Sequence, residues 1–159
     1  PLWSRGLGDV YKRQNYVLDV AAEAHNAKAS WFLDEAQDGL RQDWAGILTQ
    51  WPGAGVRAVW CNPPYSAKSA WIAKAIEQSQ RCQITMLLPA SLSEGWFDTL
   101  DVEPVEVVIL APRVSFIPTP GDKRSGNLGG SMLVHFNSAN RGAVRIYRER
   151  WRSARNPIT

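Results

Sequence analysis

The sequence predicts an α/β fold built on a mostly parallel sheet. Short apolar segments of strand length alternate with helical segments from about residue 16 to residue 111, and such alternation is typical of parallel strands joined by right-handed helical crossovers. With 159 residues, 45% of them hydrophobic, the chain has the size and apolar content of one compact domain. We therefore expect one domain, over residues 15–150.

Both ends of the chain differ from this domain. Residues 1–14 show neither helical nor alternating periodicity, and residues 8–14 resemble translated sequencing-adapter read-through. We interpret residues 1–14 as a non-native or artefactual segment. Residues 151–159 are polar and basic and are predicted to form a tail.

Three strands are predicted in the first half of the chain. Residues 16–20 form an apolar run that closes at Asp19 and is followed by small residues, a pattern typical of a buried strand ending at a binding edge. Residues 29–33 indicate a short second strand, and residues 38–44 a turn leading to a surface segment that contains Asp43. Residues 56–61 predict a third strand, which stops at a double proline.

The second half continues the alternation. Residues 66–80 predict an amphipathic helix with Ser66 as its N-cap, because Ile72, Ala75 and Ile76 follow helical spacing. Strands are expected at residues 83–88 and 106–111, with a short helix at residues 93–100 between them. Residues 132–136 and 143–147 predict a C-terminal antiparallel hairpin around a turn at residues 140–142.

Composition and charge restrict the class of protein. The net charge is +3 and the pI is near 9.1, which suits a polyanionic partner. No apolar run approaches the length of a membrane span and no secretory signal is evident, so we expect a soluble intracellular protein. Two cysteines without a histidine cluster predict reduced thiols and no metal site, and isolated His25 and His135 are interpreted as structural. Most of the eight tryptophans are expected in the core.

The strongest chemical signal is the tetrapeptide Asn62-Pro63-Pro64-Tyr65. The exocyclic nitrogen of adenine is a poor nucleophile because its lone pair is delocalised, and the Asn62 side-chain oxygen with the Pro63 carbonyl could accept hydrogen bonds from its two hydrogens. The two prolines fix the backbone that presents this carbonyl. Tyr65 offers an aromatic face for a base flipped out of the duplex. The same string can also be an ordinary turn, but its place after a predicted strand favours a ligand-binding edge.

Several further segments join this motif in a family pattern. Residues 16–136 resemble the phage-type, Dam-like DNA N-6-adenine methyltransferases, and the match rests on residues 18–22, 26–28, 38–40, 43–44, 60–66 and 87–90 together with Arg113 and Phe116. The resemblance implies a Rossmann-like fold, S-adenosylmethionine as the cofactor, DNA as the partner and a phage or prophage gene acting in a bacterial cytoplasm. No obligate protein partner is evident.

The resemblance also implies a cofactor site. Asp19 matches the family's acidic cofactor-site residue, Asp43 the carboxylate that accepts a hydrogen bond from the cofactor's adenine amine, and Asn26 a residue of the same pocket. From the residues alone, Asp19 can equally be a helix N-cap and Asp43 a solvated turn residue. Residues 1–14 also lack the Thr-Pro dipeptide that family members carry before the first strand.

The DNA-facing parts are predicted from charge. Lys123 and Arg124 lie in a Gly-, Pro- and Ser-rich stretch at residues 113–131 and suit phosphate contacts, although a solvated loop explains them equally well. A second set of arginines, at residues 145–155, has aromatic residues between its members. Two alternatives to DNA methylation remain: methylation of RNA or of a protein glutamine, and a catalytically silent nucleic-acid-binding remnant.

Overall fold

The structure is a computed structural model that describes residues 15–101, 105–111 and 129–136, and the backbone of residues 145–150. The predicted segment at residues 1–14, the tail at residues 151–159 and the turn at residues 140–142 lie outside the described residues. Lys123 and Arg124 lie outside them as well.

One sheet contains the seven described strands. They are β1 (Asn15–Asp19), β2 (Trp31–Phe32), β3 (Arg57–Cys61), β4 (Gln83–Pro89), β5 (Val105–Ala111), β6 (Ser131–Phe136) and β7 (Arg145–Arg150). Their order in the sheet is β2-β1-β3-β4-β6-β5-β7. Strand β6 is antiparallel to both of its neighbours, whereas every other pair is parallel. The predicted mostly parallel sheet is confirmed.

The predicted C-terminal hairpin is wrong. Strand β6 pairs with β4 and β5, and β7 pairs in parallel with the far side of β5, so β5 separates the two strands expected to be adjacent. All six residues of β6 are buried, as is typical of a strand in the middle of a sheet. By lying between β4 and β5, β6 gives hydrogen-bond partners to the facing edges of both strands.

Three α-helices are described. They are α1 (Trp44–Thr49), α2 (Lys68–Ser79) and α3 (Asp98–Asp101). Helix α2 confirms the predicted amphipathic helix, but Ser66 is not its N-cap, because Tyr65–Ala67 form a 3-10 turn and the helix begins at Lys68. Helix α1 replaces the surface segment expected after residue 43, and its Trp44 is fully buried.

Alternate residues along the central strands enter two hydrophobic clusters. On β3, Val59 and Cys61 join the larger cluster, whereas Trp60 joins the smaller one with Leu87 and Leu133. The larger cluster also contains side chains of α1 and α2 and is the main core. Trp44, Trp60 and Trp71 are buried as predicted, and Trp96 is half-buried.

Strands β2, β1 and β3 are adjacent and parallel, so their carboxyl ends lie along the same side of the sheet. The Val20 amide donates to the Trp60 carbonyl at 3.1 Å, and the Leu33 amide donates to the Asp19 carbonyl at 2.8 Å. These bonds hold the segments that follow β1, β2 and β3 side by side. Open α/β sheets bind ligands at the carboxyl ends of their strands, and the candidate site lies there.

Two further features bear on the class of protein. Cys61 and Cys82 are free thiols, of which Cys61 is buried and Cys82 half-buried. Within the described ranges, no helix combines the length and apolar character needed to cross a membrane, and no group of three or more potential metal-ligating side chains comes together.

Candidate active site

A cavity of about 660 Å³ opens at the carboxyl ends of β1, β2 and β3. A volume of this size accommodates a nucleotide-sized ligand. Its lining residues come from the segments after the three strands and from α2: Val20, Ala21, Ala22, Glu23, Asn26, Leu33, Asp34, Glu35, Asp38, Gly39, Asn62, Pro63, Pro64 and Trp71. Asn62 to Pro64 thus share one cavity with predicted cofactor residue Asn26.

Asp19 is buried next to the cavity and holds the loop that lines it. The side chain is 2% exposed, and its carboxylate accepts hydrogen bonds from the amides of Ala21 at 3.3 Å and Lys28 at 2.9 Å. Burial raises the pKa of Asp19 to about 6, although the two hydrogen bonds act in the opposite direction. Asp19 does not itself line the cavity. It fixes the two ends of the loop at residues 21–28, which does, and no helix follows it to be capped.

Asn26 lies in the loop that Asp19 holds. Its side-chain oxygen accepts a hydrogen bond from the Glu23 amide at 2.8 Å, and the Asn26 and Ala27 amides donate to the Glu23 carbonyl. The resulting tight turn puts both Asn26 and Glu23 on the cavity surface. The structure therefore places Asn26 at the same cavity as Asn62.

The Asn62-Pro63-Pro64 segment forms the border of the cavity next to β3. Strand β3 ends in buried Cys61, so Asn62 is the first residue beyond the sheet, and it is half-buried. Within the described residues, no hydrogen bond occupies the Asn62 carboxamide. The Pro64 carbonyl accepts the Ala67 amide at 3.0 Å, which turns the chain into α2 and fixes the segment at its second end.

Tyr65 does not line the cavity, and its hydroxyl interacts with Ser131, the first residue of β6. Burial raises the pKa of Tyr65, and the interaction with Ser131 lowers it. Because Ser131 pairs with Pro89 at the end of β4, the tyrosine ring stands toward the β4 and β6 part of the edge.

Close packing defines the cavity floor. A Cβ atom on Gly39 would collide with the Val20 carbonyl oxygen and would lie 2.9 Å from the Trp71 ring. The Gly39 carbonyl accepts a hydrogen bond of 2.7 Å from the indole of Trp44, which stacks on Trp71 with ring centroids 6.1 Å apart. Only glycine allows the 3-10 turn at residues 39–41 to approach β1 this closely.

Four carboxylates line the cavity, and sequence reasoning selected none of them as site residues. Asp34 is the second residue after β2, and Asp38 precedes Gly39; Glu23 and Glu35 are the other two. Asp38 has a positive φ of 50°, a strained backbone that persists only when its surroundings enforce it. The sequence signal that could have identified Asp34 is its position directly after the strand predicted at residues 29–33, because ligands bind at the carboxyl ends of such strands.

Asp43 is not brought to the cavity. It precedes α1, its side chain is about half exposed, and its carboxylate pairs with the Arg81 guanidinium just beyond α2. The hydrogen bond from Arg81 lowers the pKa of Asp43. Asp43 thus lies directly before α1 with Arg81 as its partner, and the structure does not bring it together with Asn26 and Asn62.

A sheet of this topology, with a nucleotide-sized cavity beside an Asn-Pro-Pro-Tyr segment at its carboxyl edge, defines an α/β enzyme of the Rossmann-like methyltransferase class. Residues 7–155 match the family model described as DNA N-6-adenine-methyltransferase (Dam). The chain belongs to this family of adenine-specific DNA methyltransferases, as the sequence pattern predicted.

Two curated relatives carry the same description. The DNA N-6-adenine-methyltransferase of Haemophilus phage HP1 (strain HP1c1) is 31% identical over 140 residues, which cover 86% of this chain and 75% of the relative. That of Escherichia phage T1 is 34% identical over 134 residues, which cover 81% of this chain and 52% of the relative. The chain thus spans three quarters of the first relative and about half of the second.

The fold is also distantly similar to that of a protein of known structure. This is the crystal structure of a predicted O-methyltransferase from Agrobacterium tumefaciens, with a TM-score of 0.43 and 14% identity. The likeness covers 94% of this chain and 84% of the other.

Proposed function

We propose that the chain transfers a methyl group from S-adenosylmethionine to the exocyclic nitrogen of adenine in DNA, with the base flipped onto Asn62-Pro63-Pro64-Tyr65. One observation carries the proposal: Asn62 and Pro63 border the cavity, while Tyr65 lies beyond them. A cofactor in the cavity and a base against Tyr65 would meet at Asn62. The names and phage origin of the two relatives agree with this reaction.

The residues of the cavity fit the cofactor. S-adenosylmethionine is net cationic, because its ammonium and its sulfonium outnumber its single carboxylate, and carboxylates are suitable partners for these two cationic groups and for the two ribose hydroxyls. Four carboxylates line the cavity, and Val20, Leu33 and Trp71 add apolar surface for the adenine ring. When bound, the cofactor would supply an electrophilic methyl group. Asp34 and Asp38 are proposed to bind its adenosine half and the loop at residues 21–28 its amino-acid half.

Asp19 and Asn26 keep their proposed place in cofactor binding, with different roles. Asn26 lies on the cavity surface and can contact the ligand. Asp19 acts through the loop, because its carboxylate holds the amides of Ala21 and Lys28. Asp43, which pairs with Arg81 outside the cavity, is replaced in this proposal by Asp38.

Asn62 and Pro63 are proposed to bind the target amine. The Asn62 side-chain oxygen and the Pro63 carbonyl accept its two hydrogens, so that the nitrogen lone pair turns out of conjugation and toward the methyl group. Pro63 is buried and is followed by a second proline, so its carbonyl is held in place before substrate arrives. The nitrogen loses one proton to solvent after transfer. Positioning and electrostatics supply the acceleration.

Tyr65 and Pro64 are proposed to bind the flipped base. Flipping costs about a few kcal/mol, part of which stacking on an aromatic ring recovers. The interaction with Ser131 orients the Tyr65 ring before the base arrives. Lys123 and Arg124, which lie outside the described residues, remain proposed phosphate contacts.

Transfer of labelled methyl to four acceptors tests the reaction. Duplex DNA, single-stranded DNA, RNA and a glutamine-rich protein are each incubated with the chain and labelled S-adenosylmethionine, and the products are digested and separated. We expect label in N6-methyladenine from DNA. Label in RNA or in protein would instead establish one of the other two acceptors.

Calorimetric titration with the cofactor alone separates the remaining alternative. We expect the active chain to bind the cofactor both with and without duplex DNA. A folded chain that binds duplex DNA but neither binds the cofactor nor transfers label would be the silent remnant, and the proposal would then be wrong.

A further inference from the structure

A cluster of three side chains lies beside the proposed base site and has no part in the roles given above. It consists of Lys68, at the start of α2, and Glu94 and Trp96, in the segment after β4; we call it the Glu94 cluster. The Trp96 indole donates to the Glu94 carboxylate at 2.6 Å, and the Lys68 ammonium lies 3.8 Å from the same carboxylate and 5.7 Å from the Trp96 ring centroid.

The Glu94 cluster is adjacent to Tyr65. The Lys68 ammonium also donates to the Tyr65 carbonyl at 3.4 Å, so one ammonium contacts both Tyr65 and Glu94. The segment that carries Glu94 leaves the end of β4, where Ala90 donates to the Gly130 carbonyl at 3.0 Å, next to the strand that holds the Tyr65 hydroxyl. A nucleotide next to a base stacked on Tyr65 would therefore approach Glu94.

The Glu94 carboxylate is oriented and still open to a ligand. Its side chain is 50% exposed, so part of its acceptor capacity faces solvent. A hydrogen bond from Trp96 and a second from Ser91 lower its pKa, which keeps it ionised. Trp96 in turn packs edge-on against buried Phe97, with the ring centroids 6.0 Å apart. The indole that orients the carboxylate is therefore itself held by the core.

An ionised carboxylate at this place is unsuited to the DNA backbone, whose phosphates repel it. It suits the base edges, because in the major groove only the amines of cytosine and adenine offer hydrogen-bond donors. We infer that Glu94 accepts a hydrogen bond from the exocyclic amine of a base next to the target adenine and thereby contributes to sequence discrimination. The inference rests on the proposed function and assigns to it a specificity-determining residue.

Methylation of a randomised duplex library tests the inference. Each duplex carries one fixed adenine with three randomised positions on either side, and sequencing that detects N6-methyladenine scores the fixed adenine. For the parent we expect a preference of about tenfold for cytosine or adenine at one flanking position. Glu94→Met, which keeps the length of the side chain but cannot accept a hydrogen bond, should lose this preference and leave those at other positions unchanged.

Two further variants give the controls. Glu77→Met removes an exposed carboxylate that pairs with Lys74 at 3.5 Å on α2 and should leave the whole profile unchanged. Trp96→Phe keeps an aromatic ring but removes the donor that orients Glu94, and should weaken the preference at the same position only.

The outcomes separate this inference from the proposed function. A parent without a flanking preference, a Glu94→Met profile equal to that of the parent, or a uniform loss at every sequence would each overturn the inference while methylation of DNA stands. A parent that binds cofactor but methylates no member of the library would overturn the proposed function, and the inference with it.

Discussion

At the residue scale, two aspartates five positions apart in the sequence have different surroundings. Asp38 lines the cavity, whereas Asp43 is bound by Arg81 outside it. Asp38→Asn should weaken binding of S-adenosylmethionine about tenfold or more, because hydrogen bonds to a charged group contribute about 1.5–3 kcal/mol. Asp43→Asn is the matched control, since it removes an exposed ion pair of small value. Calorimetric titration measures both, and equal losses would refute the exchange of roles.

Asp19 should make stability depend on pH. Its folded pKa of about 6 lies above the ordinary value of 3.8, so between these values the folded chain keeps a proton that the unfolded chain releases. This contribution makes the free energy of unfolding fall as pH rises from about 4 to 6, by as much as about 1.4 kcal/mol per unit. Asp19→Asn should remove this contribution and make the slope of stability against pH more positive than that of the parent, as urea denaturation at several pH values will show; an unchanged slope would contradict the assignment.

His135 should change the free energy of unfolding in the opposite direction to Asp19 over nearly the same pH range. Burial lowers its pKa from 6.5 to about 4, so between these values only the unfolded chain gains a proton, and stability rises with pH. The parent should therefore show little net slope between pH 4 and 6. His135→Gln should expose the falling contribution of Asp19, and Asp19→Asn the rising contribution of His135. Slopes of the same sign in both variants would show that this pair does not govern the pH dependence.

At the element scale, local sequence patterns predicted the individual strands better than their pairing. The apolar runs that became β1, β3 and β4 are visible because parallel strands are buried on both faces. The partners of β6 were mispredicted because pairing depends on which sheet edges are open, and the gap between β4 and β5 is a property of the assembled sheet. The turn at residues 140–142 suggested a local hairpin, whereas β7 pairs with β5.

The sequence also predicted some residues of the candidate site better than others. Asn62 and Tyr65 lie in a contiguous motif, so the sequence alone located them at a strand end. Asp34 and Asp38 reach the cavity through the short β2 and a strained turn, neither of which has a strong local pattern. Asp43 was chosen by resemblance, and helix α1, which turns it away, was not predicted.

The turn before α1 provides an element-scale prediction. Gly39→Ala should lower the free energy of unfolding by about 1–3 kcal/mol, the usual cost of overpacking, because the new methyl group meets the Val20 carbonyl and Trp71. Gly95→Ala is the control, since a Cβ there meets nothing within 4 Å. Urea denaturation compares the two, and equal stabilities would contradict the packing described for the cavity floor.

At the scale of the whole molecule, a chain of net charge +3 has carboxylates around its cavity. The two facts are compatible when the cavity takes a cationic cofactor and other surfaces meet DNA. Lys123 and Arg124 are the proposed phosphate contacts. Replacing both by methionine should raise the KM for DNA several-fold and reduce the slope of log affinity against log salt by about 1–2. A Lys74→Met control should keep the parental slope. An unchanged slope in the double variant would show that neither Lys123 nor Arg124 contacts phosphate.

The central claim is that Asn62 holds the target amine between the cofactor cavity and Tyr65. Its most direct test is Asn62→Ala, with cofactor binding and methyl transfer to DNA measured on the same preparation and with Asn15→Ala as the control. We predict that the variant binds S-adenosylmethionine within a few-fold of the parent but forms N6-methyladenine on the order of 100-fold more slowly. Transfer at the parental rate would contradict the claim.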